Sequence, residues 1–391
     1  MKVTYADRIN ELPPYLFEKI DQLKVQMQKK GADIIDLGVG DPDLPTPKPI
    51  IEVLQREAER PENHRYPFTR GMEEFRRSVA DWYGRRFEVS VDHDTEVVSV
   101  IGSKEGISHV PVAFVNPGDV ALVPEPAYPV YAIGTRFCGG EVSYMPLLEK
   151  NGFLPDLSAI DTDTARRARL MFLNYPNNPT SAIADTSYFS DVVAFAKKHD
   201  IIVVHDAAYT ELFFDTARPV SFLEVDGAMD VGMEIHSLSK TFNMTGWRVG
   251  HAVGNREIVG GLGKVKSNMD SGIFQPIQAA AAFALDHADE LSVPIRDIYR
   301  SRRDVLAAAL EKAGLVCETP AATFYFWVRV PDGYTSESFT ALMLEAAHIV
   351  VTPGSGFGYS GEGYVRLTLC TTEERLAEAG SRIIDAMKKS R

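Results

Sequence analysis

Short apolar runs alternate with amphipathic stretches through the middle of this 391-residue chain. The runs EVVSVIGS (96–103), DVALVPEP (119–126), RLMFLNYP (169–176), IIVVHDAAY (201–209), MEIHSLSK (233–240) and VGHAVGN (249–255) read as strands. Helical spacing fills the intervals, as from Asp185 to His199. Strands alternating with helices predict an α/β fold, with a largely parallel sheet covered on both faces. After about residue 280 the pattern changes. One long helical region runs from Gln278 through the AAAL of 307–310, with Pro294 expected to break or bend it. TFYFWVRVP (323–331), a helix over Ser336 to Ala347, a Gly-rich turn, YVRLTL (364–369) and a last helix to Lys389 complete a small α+β lobe. Near the start, Pro42, Pro45, Pro47 and Pro49 read as an extended arm. Before the arm, Leu16, Ile20, Leu23 and Met27 have helical spacing, and Gly31 is a stop. The pattern therefore divides the chain into an arm at 1–47 that joins the small lobe, a large lobe at 48–280 and the small lobe's main part at 281–391.

In open parallel sheets the chemistry gathers beyond the carboxyl ends of the strands. Polar residues do follow the apolar runs: Ser103 and Lys104, Tyr128, Asn177 and Asn178, Asp206 and Tyr209, then Ser237, Ser239 and Lys240. A Lys after an apolar run is ordinarily a solvated surface residue. Lys240, however, follows two hydroxyls and precedes Arg248 by eight residues. Two hydroxyls and a guanidinium suit a phosphate dianion. A lysine beside a bound phosphate suggests covalent attachment of pyridoxal phosphate. Such a cofactor needs a buried carboxylate facing its ring nitrogen, and Asp206 closes a buried run, although it could equally cap a helix. Tyr209 can reach the ring hydroxyl, and Asn178 can donate to the same oxygen, although Asn-Pro commonly marks a plain turn. Tyr128 offers a face to stack on the ring. The segment 102–106, GSKEG, ends a strand and opens a helix whose N–H groups would cradle an anion. Arg366 alternates with Val365 and Leu367; it reads either as a solvent-facing residue or as a clamp for an α-carboxylate.

Composition narrows the field. Hydrophobic residues make up 45% and charged residues 24%, ordinary for a folded globular chain. The formal charge of −13 argues against a nucleic-acid or anionic-membrane surface. No apolar run approaches the roughly 18 residues of a membrane span, and the first residues lack a signal-peptide core. Three scattered Cys form no CxxC pair, which places the chain in a reducing compartment, the cytoplasm. Nine His without HExxH or Cys/His ligand spacing leave metal chemistry unsupported. Neither GxxxxGK[ST] nor GxSxG occurs.

PEPAYP, NYPNNPT, HDAAY, SLSKTFNMTGWRVG and YVRLTL together resemble the class I/II aminotransferases of pyridoxal-phosphate fold type I, over nearly the whole chain. The resemblance implies a large domain with a mainly parallel seven-stranded sheet and a smaller domain built from both chain ends. It implies that Lys240 carries the cofactor, Asp206 pairs with its ring nitrogen, and Asn178 and Tyr209 bind its phenolic oxygen. Tyr128 would stack on the ring; Ser103, Lys104, Ser237, Ser239 and Arg248 would line the phosphate. Arg366 would hold the α-carboxylate of amino-acid and 2-oxoacid substrates. Tyr66, in RYPFTRG, is similar to a tyrosine that reaches the neighbouring subunit's site, which implies a homodimer. One departure stands out: the family's PNNPTG is PNNPTS here, with Ser181 in place of Gly.

The N-terminal stretches ADRINELPPYLFEKIDQ and DLGVGDPDLPTPKPI resemble the LL-diaminopimelate branch of the family, with Tyr15 and Gly40 near the substrate. That branch implies transfer from glutamate to tetrahydrodipicolinate in lysine synthesis, in two half-reactions. Asn268 and Asp270 are candidates for the distal end of such a substrate, or simply loop residues. Similar arms occur in aspartate, alanine and aromatic aminotransferases. The fold also hosts β-lyases and decarboxylases. A cofactor-binding transcription regulator would need a preceding DNA-binding module, whereas here the resemblance begins almost at residue 1.

Overall fold

The computed structural model describes residues 1, 3–10, 12, 24–25, 27–29 and 31–389. Tyr15 and most of the helix expected over Leu16 to Met27 lie outside the described residues. In chain order the strands are β1 (Ile35–Asp36), β2 (Val97–Val100), β3 (Val120–Glu125), β4 (Glu141–Pro146), β5 (Ala168–Asn174) and β6 (Ile202–Asp206). They continue with β7 (Gly232–Ser237), β8 (Gly250–Gly254), β9 (Tyr325–Arg329), β10 (Ile349–Val350), β11 (Thr352–Pro353) and β12 (Tyr364–Thr368).

Seven strands form one sheet in the order β2-β8-β7-β6-β5-β3-β4. Only β8 runs against the others. The fold is α/β with a mainly parallel seven-stranded sheet, as the sequence implied. Its central strands are apolar without alternation because helices cover both faces. Val79, Trp82, Phe189 and Phe222 belong to the core on one side. Ile107, Tyr131, Phe172 and Leu262 belong to the core on the other. Each such buried large side chain contributes about 1.5–3 kcal/mol. The helix Thr186–His199 shows how local sequence sets an element. Asp185 caps it by accepting from Tyr188 N–H, and Asp200 ends it in the left-handed conformation.

The smaller antiparallel sheet has the order β11-β12-β9, and β1 pairs in parallel with β10. Its core joins Ile35 and Leu37 from early in the chain to Leu306, Phe339 and Ile383 from late in it. Thr368 N–H donates to Leu37 O at 2.9 Å, so β12 and the early segment are tied directly. Among the described residues, no helix is long and apolar enough to cross a membrane.

Three expectations need correction. The helical region after Gln278 is two helices, Gln275–Asp286 and Ala288–Ala313, and Pro294 lies inside the second. Pro294 and Glu290 are both exposed, so the carbonyl deprived of its partner faces water and the helix survives. The Pro-rich arm ends sooner than its prolines suggest: helix Lys48–Ala58 takes Pro49 into its first turn, where no N–H is needed. Finally, β4 carries no apolar run, because it is an edge strand with only Met145 buried.

Candidate active site

The carboxyl ends of β5, β6 and β7 lie side by side, with Asn174 opposite Asp206 and Asp206 opposite Ile235. Asp206 is buried. Tyr131 Oη donates to its Oδ2 at 2.8 Å, and its Oδ1 is buried without a partner. Burial pushes its carboxyl above the usual range, while the Tyr131 hydrogen bond opposes that shift. Asn174 Nδ2 donates to the Asp206 backbone carbonyl at 2.7 Å. Asn174 Oδ1 accepts from Asn178 N–H at 2.8 Å, so one side chain ties the Asp206 strand end to the Asn178 loop.

Lys240 sits on the single turn Leu238–Thr241, capped by Ser237, whose Oγ accepts from Ser239 N–H at 3.2 Å. Its ammonium donates to Gly40 O at 2.9 Å. Burial lowers its pKa, which favours the free amine a nucleophile or base requires. Ser237 and Ser239 are buried beside it, and Ser239 Oγ donates to Met244 O at 3.5 Å. Arg248 takes φ 56° and donates from Nη1 to Thr245 O at 2.8 Å. Its guanidinium lies against Gly102, where an added Cβ would come within 2.7 Å of Arg248 Cζ. Gly102 itself has φ +76° and precedes helix Ser103–Phe114, so neither backbone nor space admits a side chain there. Arg248 and Gly250 of β8 thus lie at the N-terminus of that helix, beside Gly102 and Ser103 N–H. Lys104 is exposed, with Nζ 5.9 Å from the centre of the Tyr128 ring.

A second group faces this one from the small sheet. Arg366 on β12 is buried although its neighbours Val365 and Leu367 are buried too. The face opposite the small core is the cleft, not solvent. Arg366 Nη1 donates to Asn178 Oδ1 and Nη2 to Gly38 O, each at 2.7 Å. Arg366 Nε is buried without a partner. Asn178 has its oxygen committed to Arg366, which leaves Nδ2 as its free donor. Tyr209 Oη meets Tyr325 Oη at 2.9 Å, and burial raises the Tyr209 pKa well above its ordinary value. Gly40 is required by space: an added Cβ would come within 2.7 Å of Tyr325 Cε1.

Not every candidate joins this cluster. Tyr66 is 89% exposed on the single chain. Asp270 is bound to the buried Lys266 at 3.0 Å and accepts from Gly272 N–H at 2.7 Å, while Asn268 Nδ2 donates to Lys264 O at 2.8 Å. Both therefore finish the helix Arg256–Met269. Two residues that organise the cluster carried no sequence mark. Tyr131 lay hidden three positions past Tyr128. Tyr325 shares a face with Arg366, since Arg366 pairs with Trp327 and Thr368 with Tyr325. The departure at Ser181 is also explained. It takes φ +63°, and its Oγ meets Thr323 Oγ1 at 2.7 Å and donates to Tyr325 O at 2.8 Å.

Residues 32–383 match the family model for aminotransferase class I and II. The chain belongs to that family. This aminotransferase is 56% identical to an LL-diaminopimelate aminotransferase of Oleidesulfovibrio alaskensis over 97% of its own length and 98% of the relative's. It is 55% identical to the enzyme of the same name from Syntrophobacter fumaroxidans over 98% and 99%. Among solved structures it is similar to substrate-bound BacF from Bacillus subtilis, with a TM-score of 0.93, 41% identity and 98% of both chains covered. The aminotransferase is a transaminase that uses pyridoxal phosphate. Its residues fit that group: an unpartnered buried carboxylate oxygen, a buried lysine of lowered pKa, and a helix N-terminus flanked by Arg248 meet in one cleft.

Proposed function

We propose that this transaminase passes an amino group from glutamate to tetrahydrodipicolinate in its opened form, giving LL-diaminopimelate and 2-oxoglutarate for lysine synthesis. The substrate reading rests on the name shared by its near-full-length relatives. The chemical reading rests on one observation: Arg366 and Asn178 form a buried polar seat 2.7 Å apart, in the cleft that holds Lys240.

Pyridoxal phosphate, when bound, supplies a covalent tie for the amino group and a ring that accepts the electron pair released at the substrate α-carbon. Every other part of the work falls to side chains. Arg366 orients the substrate through its α-carboxylate, with Nε and the Nη edge as donors. Lys240 Nζ would hold the cofactor and, when free, would take the α-proton as general base. Burial lowers its pKa and so favours the free amine that a base requires. Asp206 Oδ1 holds the proton on the ring nitrogen. Tyr209 and Asn178 Nδ2 donate to the phenolic oxygen, and Tyr128 covers the ring face. Ser103, Lys104, Ser237, Ser239 and Arg248 hold the phosphate, with helix Ser103–Phe114 aimed at it.

The same reading makes the enzyme a cytoplasmic homodimer in which Tyr66 crosses to the other subunit's phosphate, and places Tyr15 and Gly40 near the substrate. The working units are 1–47 with 281–391, and 48–280. Two separate cores support two units, with the large core continuing past residue 280 to Leu291 and the small core also taking Tyr209, Leu212 and Phe214.

Stopped-flow half-reactions of the loaded enzyme with LL-diaminopimelate, glutamate, aspartate, alanine and phenylalanine test the proposal. LL-diaminopimelate and glutamate are expected to show the highest kcat/KM. A higher value for aspartate or alanine than for LL-diaminopimelate would overturn the substrate assignment. Release of pyruvate and ammonia from cystathionine would replace transamination with β-elimination.

A further inference from the structure

Tyr325 touches Arg366 and Gly40, two of the residues that the proposed function uses on the substrate side, and Tyr209 beside them. Its ring lies under the Arg366 guanidinium, with Cζ 4.3 Å from the ring centre. Its hydroxyl meets Tyr209 Oη at 2.9 Å. It abuts Gly40, whose carbonyl receives the Lys240 ammonium. The residue is 2% exposed, and its backbone is fastened at both polar atoms. Ser181 Oγ donates to its carbonyl at 2.8 Å, and its N–H donates to Thr323 Oγ1 at 3.1 Å. Phe357 covers Arg366 from a second direction at 4.7 Å, so the guanidinium is held between aromatic faces.

We propose that Tyr325 is a positioning residue that couples the carboxylate seat to the cofactor's phenolic oxygen, its ring fixing Arg366 and its hydroxyl fixing Tyr209. The proposal rests on the roles given above to Arg366 and Tyr209. For Tyr209 to donate toward the cofactor, its oxygen must accept the hydrogen bond from Tyr325. A hydroxyl that accepts one hydrogen bond donates a stronger one. Ring and hydroxyl therefore do separable work. The ring sets affinity for the amino acid through a desolvated cation–π contact. The hydroxyl sets how well Tyr209 stabilises the phenolate, which shows in the pH titration of the bound cofactor's visible absorbance.

Two variants separate these roles. Tyr325→Phe keeps the ring. Its KM for glutamate should stay within about twofold of the parent, while the absorbance midpoint rises by about half a pH unit or more as the phenolate loses support. Tyr325→Leu loses both, and KM should rise roughly tenfold or more. The dissociation constant of pyridoxal phosphate from each protein, measured on the apo form, gives a readout independent of turnover and should weaken in both variants. An unmoved absorbance midpoint in Tyr325→Phe refutes the hydroxyl's role. An unchanged KM in Tyr325→Leu, with Arg366→Ala raising KM, refutes the ring's role alone. An unchanged KM in Arg366→Ala refutes the underlying reading of the seat. Should Tyr325→Leu fail to fold, Tyr325→Met, which also loses ring and hydroxyl but keeps more of the volume, carries the same comparison with Tyr325→Phe.

Discussion

Removing the Tyr131 hydroxyl gives a sharp test of how Asp206 is prepared. In the apo protein, burial raises the Asp206 pKa, and the 2.8 Å hydrogen bond from Tyr131 works against that rise. A carboxyl whose pKa is higher folded than unfolded loses stabilisation for the fold as pH climbs through that window, because the anion is the form that burial penalises. In the proposed arrangement, cofactor binding requires that anion opposite the protonated ring nitrogen. On the alkaline side Asp206 is ionised before and after binding, so the Tyr131 bond is present in both states and cancels. On the acid side binding must first deprotonate Asp206, and the bond is then worth more after binding than before. A hydrogen bond to a charged group contributes about 1.5–3 kcal/mol and a neutral one about 0.5–1.5 kcal/mol, leaving a difference of about 1–1.5 kcal/mol. Tyr131→Phe should therefore weaken pyridoxal phosphate binding roughly 5- to 13-fold at acid pH, with the deficit vanishing toward alkaline pH. Absorbance titration of both apoenzymes across that range measures the ratio, in which the cofactor's own protonation cancels. A deficit of equal size at every pH would mean packing damage, and no deficit at any pH would mean that Tyr131 does not support the anion; either result refutes the reasoning.

Other outcomes follow from the same geometry. Lys240→Ala should abolish turnover while the protein still binds pyridoxal phosphate, checked by steady-state assay and by dialysis; full activity would remove Lys240 from the mechanism. Arg366→Ala should raise KM for every amino acid tested, since the α-carboxylate is common to all, and an unchanged KM would place the clamp elsewhere. Gly40→Ala forces its Cβ into Tyr325 and should cost about 1–3 kcal/mol of stability by urea unfolding. Ser181→Gly relieves a left-handed backbone worth about 1 kcal/mol but leaves the buried Tyr325 carbonyl and Thr323 hydroxyl short of a partner at about 1–3 kcal/mol. The net result should be a modest loss of stability, and a gain would show that the two hydrogen bonds are weak.

The parts of the structure legible in the sequence are those in which one physical demand dominates. The central strands must be apolar on both faces, so Ala168–Asn174 and Ile202–Asp206 could be found from their runs alone. Asp206, Ser237 and Lys240 were legible because they interrupt such runs at their ends. Residues whose role depends on a distant partner were not. Tyr131 looks like any core aromatic until β6 is placed beside its helix. Tyr325 gains its meaning only from the β9–β12 register. That the helix is not broken at Pro294 is not legible in the sequence, because proline's cost depends on whether the freed carbonyl can reach water, and exposure is a tertiary property. Ser181 was noticed only as a departure; its hydrogen bonds to Thr323 and Tyr325 show what the extra hydroxyl does.

The hydrogen bond from Arg366 to Gly38 joins residues 328 positions apart. On a ribosome adding about 5–20 residues per second, roughly 16–66 s separate the two. Throughout that interval Ile35 and Leu37 have emerged without β10, β12 or the late helices that bury them, and they present an apolar edge to any nascent-chain chaperone. The large sheet, whose strands lie close in sequence, can close long before. A chain halted just short of Tyr364 already contains Asp206, Lys240 and Arg248, yet lacks Arg366, the proposed carboxylate clamp. Competence to bind cofactor is therefore translated before competence to choose a substrate.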